Sequence, residues 1–294
     1  QLGHLGFQLL GDASFRECGP ECHSGCHHGA TEAFFADKGT ADLDKNLNIL
    51  CSGELNGFYS HQCLHGVGHG LMAWSDYDLP AALLSCDMLS SQAAQSSCWT
   101  GVFMENIVGT FASPQEKTAW HFTNYLSDDP QYPCNIVEEK YKNACYFLQT
   151  SRMIVLANGN FSKVAEECAK APAQHQFSCF ESMGRDVSGR SGRDPEKAIS
   201  ICQQIPDKQH SNHCITGALL DQFWDESQAP NAIRFCEILL FTDLEERCYS
   251  QIIGRAADVL PSAQSKAAFC SKLPEKYEHR CISSAPSAAR SGSS

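Results

Sequence analysis

The stretch "RDPEKAISICQQIPDKQHSNHCITGALLDQFW", from Arg193 to Trp224, contains the pattern that decides the fold. An Asp-Pro pair opens a run of good helix formers that ends in Cys202, and proline is favoured in the first turn of a helix. A polar loop follows, and Cys214 then begins a second stretch with apolar residues at helical spacing. The segment therefore predicts two short helices whose facing ends are joined by a Cys202–Cys214 disulfide.

The same arrangement recurs along most of the chain. Fourteen of the 17 cysteines fall into seven pairs with separations of 11 or 12 residues, namely Cys51–Cys63, Cys86–Cys98, Cys134–Cys145, Cys168–Cys179, Cys202–Cys214, Cys236–Cys248 and Cys270–Cys281. The first members of the last five pairs are 34 residues apart, which is typical of stacked two-helix units. We therefore predict seven disulfides in an all-α, right-handed α-solenoid of about seven to eight helical hairpins.

The spacing also divides the chain into four regions. Residues 1–110 form histidine-rich repeats, 111–133 an insertion, 134–284 the remaining disulfide-stapled repeats, and 285–294 a small polar tail that we expect to be disordered. Three cysteines stand apart from the seven pairs. Cys26 aligns with the second cysteines of the repeats, so we expect Cys18 or Cys22 to pair with it, and we select Cys22 as the odd thiol.

Composition restricts the classes of function. No run of 18 apolar residues is present, so we expect no membrane span. A net charge of −12 with only 22 Lys and Arg argues against binding to nucleic acid or to anionic membranes, both of which require a basic face. Seventeen cysteines without a CxxC metal knuckle indicate export to an oxidising compartment, either secretion or the periplasm.

The disulfide-bearing repeat between Asp42 and Ser284 resembles tetratricopeptide and Sel1-like repeat proteins, notably secreted Sel1-like proteins with one disulfide in each repeat. The 11–12 residue spacing departs from the Sel1-like pattern, and no complete tetratricopeptide signature is present. The resemblance implies a helical repeat fold and a surface that binds a partner, but it implies no activity.

The histidines are concentrated near the start of the chain. Two similar stretches, "ECHSGCHHGATEAFF" (21–35) and "HQCLHGVGHGLMAW" (61–74), carry six of the 12. Counted from the second cysteine of its repeat, His28 and His65 lie at position +2, while Glu32 and His69 lie at position +6. These positions are one helical turn apart and share a face, and equivalent positions of adjacent repeats should meet.

This register predicts a transition-metal centre formed by His28, Glu32, His65, His69 and Glu105. Imidazole and carboxylate ligands favour zinc or iron, with copper as a further candidate. An open coordination position would allow hydrolytic or oxidative catalysis, but the sequence does not separate catalysis from metal carriage or structural binding. Two alternatives stay open, namely a hydrogen-bonded polar seam between the first repeats and a non-enzymatic extracellular scaffold that binds a protein or peptide.

Glycine recurs at position +3, as Gly29, Gly66, Gly101 and Gly217. Glycine inside a helix costs up to about 1 kcal/mol relative to alanine, so its recurrence requires a compensating reason. We expect either close approach of neighbouring helices or room for a bound group.

Overall fold

A computed structural model of the chain describes residues 2–18, 21–39, 45–46, 51, 57–108, 123–260 and 262–284. Throughout these residues the regular structure is helical and no strand occurs, which confirms the all-α class. The helices are α1 Leu2–Leu10, α2 Ser14–Glu17, α3 Glu21–Lys38, α4 Gly57–Trp74, α5 Leu79–Cys86, α6 Gln92–Val108, α7 Glu139–Leu156, α8 Phe161–Lys170, α9 Ala173–Arg190, α10 Pro195–Cys202, α11 Lys208–Leu220, α12 Ala229–Ile238, α13 Glu245–Val259, α14 Ala263–Cys270 and α15 Glu275–Ser284.

The short helices begin where the capping residues predict. The Asp194 side chain accepts a hydrogen bond from the Lys197 backbone N–H at 3.1 Å, and Pro195 is the first helical residue of α10. Asp78 caps α5 in the same way through the backbone N–H of Ala81. Each cap satisfies one of the N–H groups that a helix start leaves without a partner, so it fixes where the helix begins.

All seven predicted disulfides are present, and an eighth joins Cys18 to Cys26. The eight bonds use 16 of the 17 cysteines and leave Cys22, as predicted, although its side chain lies outside the described residues. Eight disulfides in one chain indicate an oxidising compartment. Among the described helices, none has the length and apolarity needed to cross a membrane.

The helix after each disulfide packs against its counterpart in the next repeat. Contacts run from α3 to α4, α4 to α6, α6 to α7, α7 to α9 and α9 to α11. Between α4 and α6 the helix backbones interlock at two glycines, because a Cβ on Gly68 would lie 2.1 Å from the Cys98 carbonyl oxygen and one on Gly101 would lie 1.9 Å from that of His65. Gly184 and Gly217 interlock α9 and α11 in the same way.

The row of helices bends round, so that α13 also contacts α4. The rings of Phe58 on α4 and Trp224, just after α11, meet edge to face with 5.9 Å between their centroids. The guanidinium of Arg255 on α13 lies 4.1 Å from the centre of the Phe58 ring. These contacts enclose a cavity on the inner side of the row.

Part of the predicted insertion lies among the described residues. Residues 123–133 form an irregular segment that packs against α6 and α7: Asn106 donates to the Tyr125 carbonyl at 2.9 Å, and Gln149 donates to the carbonyls of Pro130 and Tyr132. Residues 109–122 and the predicted tail, 285–294, lie outside the described residues.

Candidate metal centre

Three of the five predicted ligands come together where α4 meets α6. His65 and His69 are on α4, and Glu105 is on α6. Glu32 on α3 instead hydrogen-bonds the Nε2 of His4 at 2.7 Å on an exposed face of the protein. The side chain of His28 lies outside the described residues, so its role as a ligand stays a prediction.

His69 is held by a buried carboxylate. Its Nδ1 lies 2.7 Å from Oε2 of Glu105, and both side chains are largely shielded from solvent, at 6% and 12% exposed. The hydroxyl of Tyr77 also hydrogen-bonds Glu105, and burial together with the charges of Glu105 and Glu32 raises the pKa of Tyr77. Glu105 therefore accepts from two donors, and the ring orientation of His69 is fixed.

His65 is held in the same manner by a hydroxyl. Its Nδ1 lies 2.9 Å from Oγ1 of Thr100, at position +2 of the next repeat. Its Nε2 lies 3.2 Å from Nε2 of His69 and 3.4 Å from Sδ of Met104, at position +6 of that repeat. Two imidazole nitrogens and one thioether sulfur thus converge on one small region between the helices.

The hydrogens of this network have two arrangements. With its hydrogen on Nε2, neutral His65 donates to His69 and accepts from Thr100. With its hydrogen on Nδ1, His65 donates to Thr100, which in turn donates to the Ser97 carbonyl at 2.7 Å. In the second arrangement the lone pairs of both Nε2 atoms point at each other, so the pair becomes a donor set for a cation.

The repeat register explains this convergence. Positions +2 and +6 on α4 face positions +2, +6 and +7 on α6, as expected for equivalent helices that lie side by side. The interlocked Gly68 and Gly101 bring the two backbones close enough for these short contacts. Gly101 and Gly217 therefore serve close helix approach, and the space above each is filled by backbone instead of a bound group.

His61 extends the histidine row by one more turn. Its Nδ1 lies 2.7 Å from Oγ of Ser97, and its ring centroid lies 6.2 Å from that of His65. His61 is open to solvent, yet it sits in a concave part of the surface that is surrounded by protein. This enclosure lowers the pKa of His61, and the charge of Arg255 lowers it further. His61 is therefore neutral at physiological pH.

Within the described residues no group of three or more His, Cys, Asp or Glu side chains has the geometry of a metal site. The three convergent groups include a methionine, which the prediction from sequence left out. Met104 lies in an apolar helix, where a methionine is expected to pack in the core, so its residue type does not indicate a metal ligand. Its position at +6, the same as that of His69, would have identified it.

Comparison of the chain with protein-family models, with curated proteins and with solved structures finds no match, so the resemblance to tetratricopeptide and Sel1-like repeats stays a prediction at the level of architecture.

Proposed function

We propose that this chain is a secreted or periplasmic metal-binding protein that holds copper between His65, His69 and Met104. The observation that carries the proposal is the convergence of the two Nε2 atoms and the Met104 sulfur. The Nδ1 atoms on the opposite side of the two rings are hydrogen-bonded to Thr100 and Glu105. The helical hairpins that carry these residues would form a right-handed α-solenoid, with the centre between its early repeats.

The spacing of the nitrogen atoms supports a shared ion. Metal–imidazole bonds are about 2.0–2.1 Å long, so two nitrogens 3.2 Å apart would subtend about 100° at the metal, close to a tetrahedral angle. The 3.4 Å between the His65 nitrogen and the Met104 sulfur fits the same ion with a slightly longer bond to sulfur.

The donor set favours copper over the zinc and iron that histidine and glutamate alone suggest. Thioether sulfur is a soft ligand that selects Cu(I), whereas carboxylate oxygen is a hard ligand. Glu105 is engaged with the Nδ1 of His69 and with Tyr77. It would therefore orient a ligand instead of binding the metal itself.

Thr100 and Glu105 supply the outer support that metal-binding histidines usually have. A carboxylate or hydroxyl on Nδ1 fixes the tautomer and directs the Nε2 lone pair at the ion. Because the carboxyl group of Glu105 is buried and accepts from the Nδ1 of His69, it would also raise the basicity of His69. This arrangement requires no movement of the helices before a metal binds.

The proposal is tested by loading purified, untagged protein with Cu(I), Cu(II) or Zn(II) and measuring the bound metal after gel filtration. We expect one copper ion per chain, held more tightly than zinc, and loss of that ion in the double variant His65→Ala/His69→Ala. The exposed His279→Ala variant is the matched control and should bind as the wild type does. If the wild type retains no metal, or the double variant retains it equally, the histidines form only a hydrogen-bonded seam.

A further inference from the structure

The cavity on the inner side of the helix row lies directly beside the candidate metal centre. It has a volume of about 370 Å³, and His65 and Met104 form part of its wall. Phe58, Trp224 and Arg255 line another part. This volume is at the lower end of the range of small-molecule pockets, and its mixture of aromatic walls with a few polar groups is typical of such pockets.

Arg255 is a cation in an unusual environment. Its guanidinium stacks on Phe58 at 4.1 Å and lies 5.8 Å from the ring centre of Trp224. Its Nη1 is buried and has no hydrogen-bond partner among the described residues. Burial lowers the pKa of Arg255, and the charge of Asp258 on the same helix opposes this shift. A guanidinium nevertheless stays protonated, so a positive charge is fixed in the wall.

The other charged side chains of the cavity wall have ionic partners. Glu181 pairs with Arg247 at 3.3 Å, and Asp221 pairs with Arg193 at 3.4 Å. Arg185 lies 3.5 Å from Asp186 and also donates to the Phe147 carbonyl. Within the described part of the wall, Arg255 is therefore the charged side chain that makes no ion pair, and a bound anion would supply one.

We infer that this cavity binds a small carboxylate with an aromatic or apolar body. The carboxylate would accept hydrogen bonds from Arg255, and the body would pack against Phe58, Phe147 and Trp224. A guanidinium binds a carboxylate through a charge-assisted pair of hydrogen bonds, which compensates for the buried charge. The inference does not depend on metal binding, although an occupant would touch the same wall as His65 and Met104.

The test uses 3-phenylpropionate as the probe, with calorimetric titration of the wild-type protein. The neutral 3-phenylpropanol and the cationic phenethylamine have the same body, and inorganic phosphate has the charge without the body. We expect 3-phenylpropionate to bind at least about tenfold more tightly than any of the other three, because a hydrogen bond to a charged group outweighs a neutral one by that factor or more.

Variants then locate the site. Arg255→Gln should weaken 3-phenylpropionate binding by about tenfold or more, while Arg255→Lys should retain part of it. Arg234→Gln is the control, since Arg234 is exposed and pairs with Glu196 on the surface. The wild-type comparison among probes remains decisive even if Arg255→Gln unfolds, since it requires no variant.

Several results would overturn the inference: no binding of any probe at millimolar concentration, equal binding of the alcohol, equal binding of inorganic phosphate, or unchanged binding in a folded Arg255→Gln protein. His69→Ala separates the two proposals. His69 lies outside the cavity wall, unlike His65, so the single variant His69→Ala is the one compared for the carboxylate. His69→Ala should weaken copper binding and keep the carboxylate, whereas Arg255→Gln should keep copper and weaken carboxylate binding.

Discussion

His65 and His69 on α4 face each other through their Nε2 atoms at 3.2 Å, while the Nδ1 atom of each ring is hydrogen-bonded to a side chain of α6. A proton between the two rings satisfies this arrangement in one tautomer, and a metal ion satisfies it in the other. The metal-binding tautomer is accessible because the Thr100 hydroxyl can accept from the Nδ1 of His65 while it donates a hydrogen bond to the Ser97 carbonyl.

Replacing Glu105 with glutamine should weaken metal binding without unfolding the protein. The amide oxygen of Gln can still accept from the Nδ1 of His69, but the negative charge that supports the ligand is lost. Changes to such supporting groups typically cost about 10–100-fold in metal affinity. A competition titration with a copper chelator measures this change.

Glu32→Gln is the matched control for that experiment, because Glu32 lies in the exposed pair with His4. We expect it to leave metal affinity unchanged. If Glu32→Gln weakens binding as much as Glu105→Gln does, the metal lies between α3 and α4, as the sequence register alone predicts.

Gly101→Ala should disturb the centre through the backbone. The new methyl group would lie 1.9 Å from the His65 carbonyl oxygen, so α6 must move away from α4. Overpacking of this kind costs about 1–3 kcal/mol, and we expect metal affinity to fall as well. Gly254→Ala, where a methyl group meets nothing within 4 Å, should instead stabilise α13 by about 0.5–1 kcal/mol. Urea unfolding of both variants measures this contrast, and a Gly101→Ala protein as stable as the wild type would contradict it.

The disulfides differ in their distance from the site, although each closes a similar loop. Removing Cys86–Cys98 or Cys270–Cys281 by paired alanine substitutions should cost about 2–5 kcal/mol in either case. The Cys86–Cys98 bond anchors α6, the helix that carries Thr100 and Met104, so its loss should also weaken metal binding. Loss of Cys270–Cys281 should not. Equal effects on metal affinity would mean that the repeats do not behave as local units.

A buried histidine should make the stability of the first repeat depend on pH. His27 is fully buried and donates from Nε2 to the Phe15 carbonyl at 3.2 Å. Burial lowers the pKa of His27, and the hydrogen bond to Phe15 opposes this shift only in part. The folded chain therefore takes up fewer protons than the unfolded chain below about pH 6.5, the pKa of an unfolded histidine.

It follows that the free energy of unfolding should be constant above pH 6.5 and should fall as the pH drops below it. His61 and His213, whose pKa values are also lowered by burial, act in the same direction. His27→Gln should reduce the loss of stability between pH 7.5 and pH 5, measured by urea unfolding. An unchanged pH dependence in this variant would show that His27 does not titrate in this range.

The sequence predicts the scaffold well because a disulfide repeat is a strong, local signal. The separation of 11 or 12 residues and the 34-residue period identify every staple, and Cys26 requires only a choice between two partners. The +2 and +6 register likewise predicts that His65 and His69 share one face of α4, where their Nε2 atoms meet. Each of these inferences concerns residues within one repeat or in adjacent repeats.

The prediction is weakest where distant repeats meet. The contact between Phe58 and Trp224 depends on how far the row of helices bends, which is the sum of small rotations that no local pattern specifies. No local pattern around Arg255 therefore predicts its place in the wall of the cavity. Met104 is a different case, since its register position is visible but its residue type suggests core packing.

Copper K-edge X-ray absorption of the wild type and of Met104→Leu, each loaded with one equivalent of Cu(I), tests the central claim most directly. Leucine preserves the apolar volume and removes only the sulfur, so the fold should persist. We predict a wild-type spectrum with two nitrogen ligands and one sulfur ligand, and loss of the sulfur contribution in Met104→Leu. A wild-type spectrum without sulfur, or one that Met104→Leu leaves unchanged, would contradict a copper centre formed by His65, His69 and Met104.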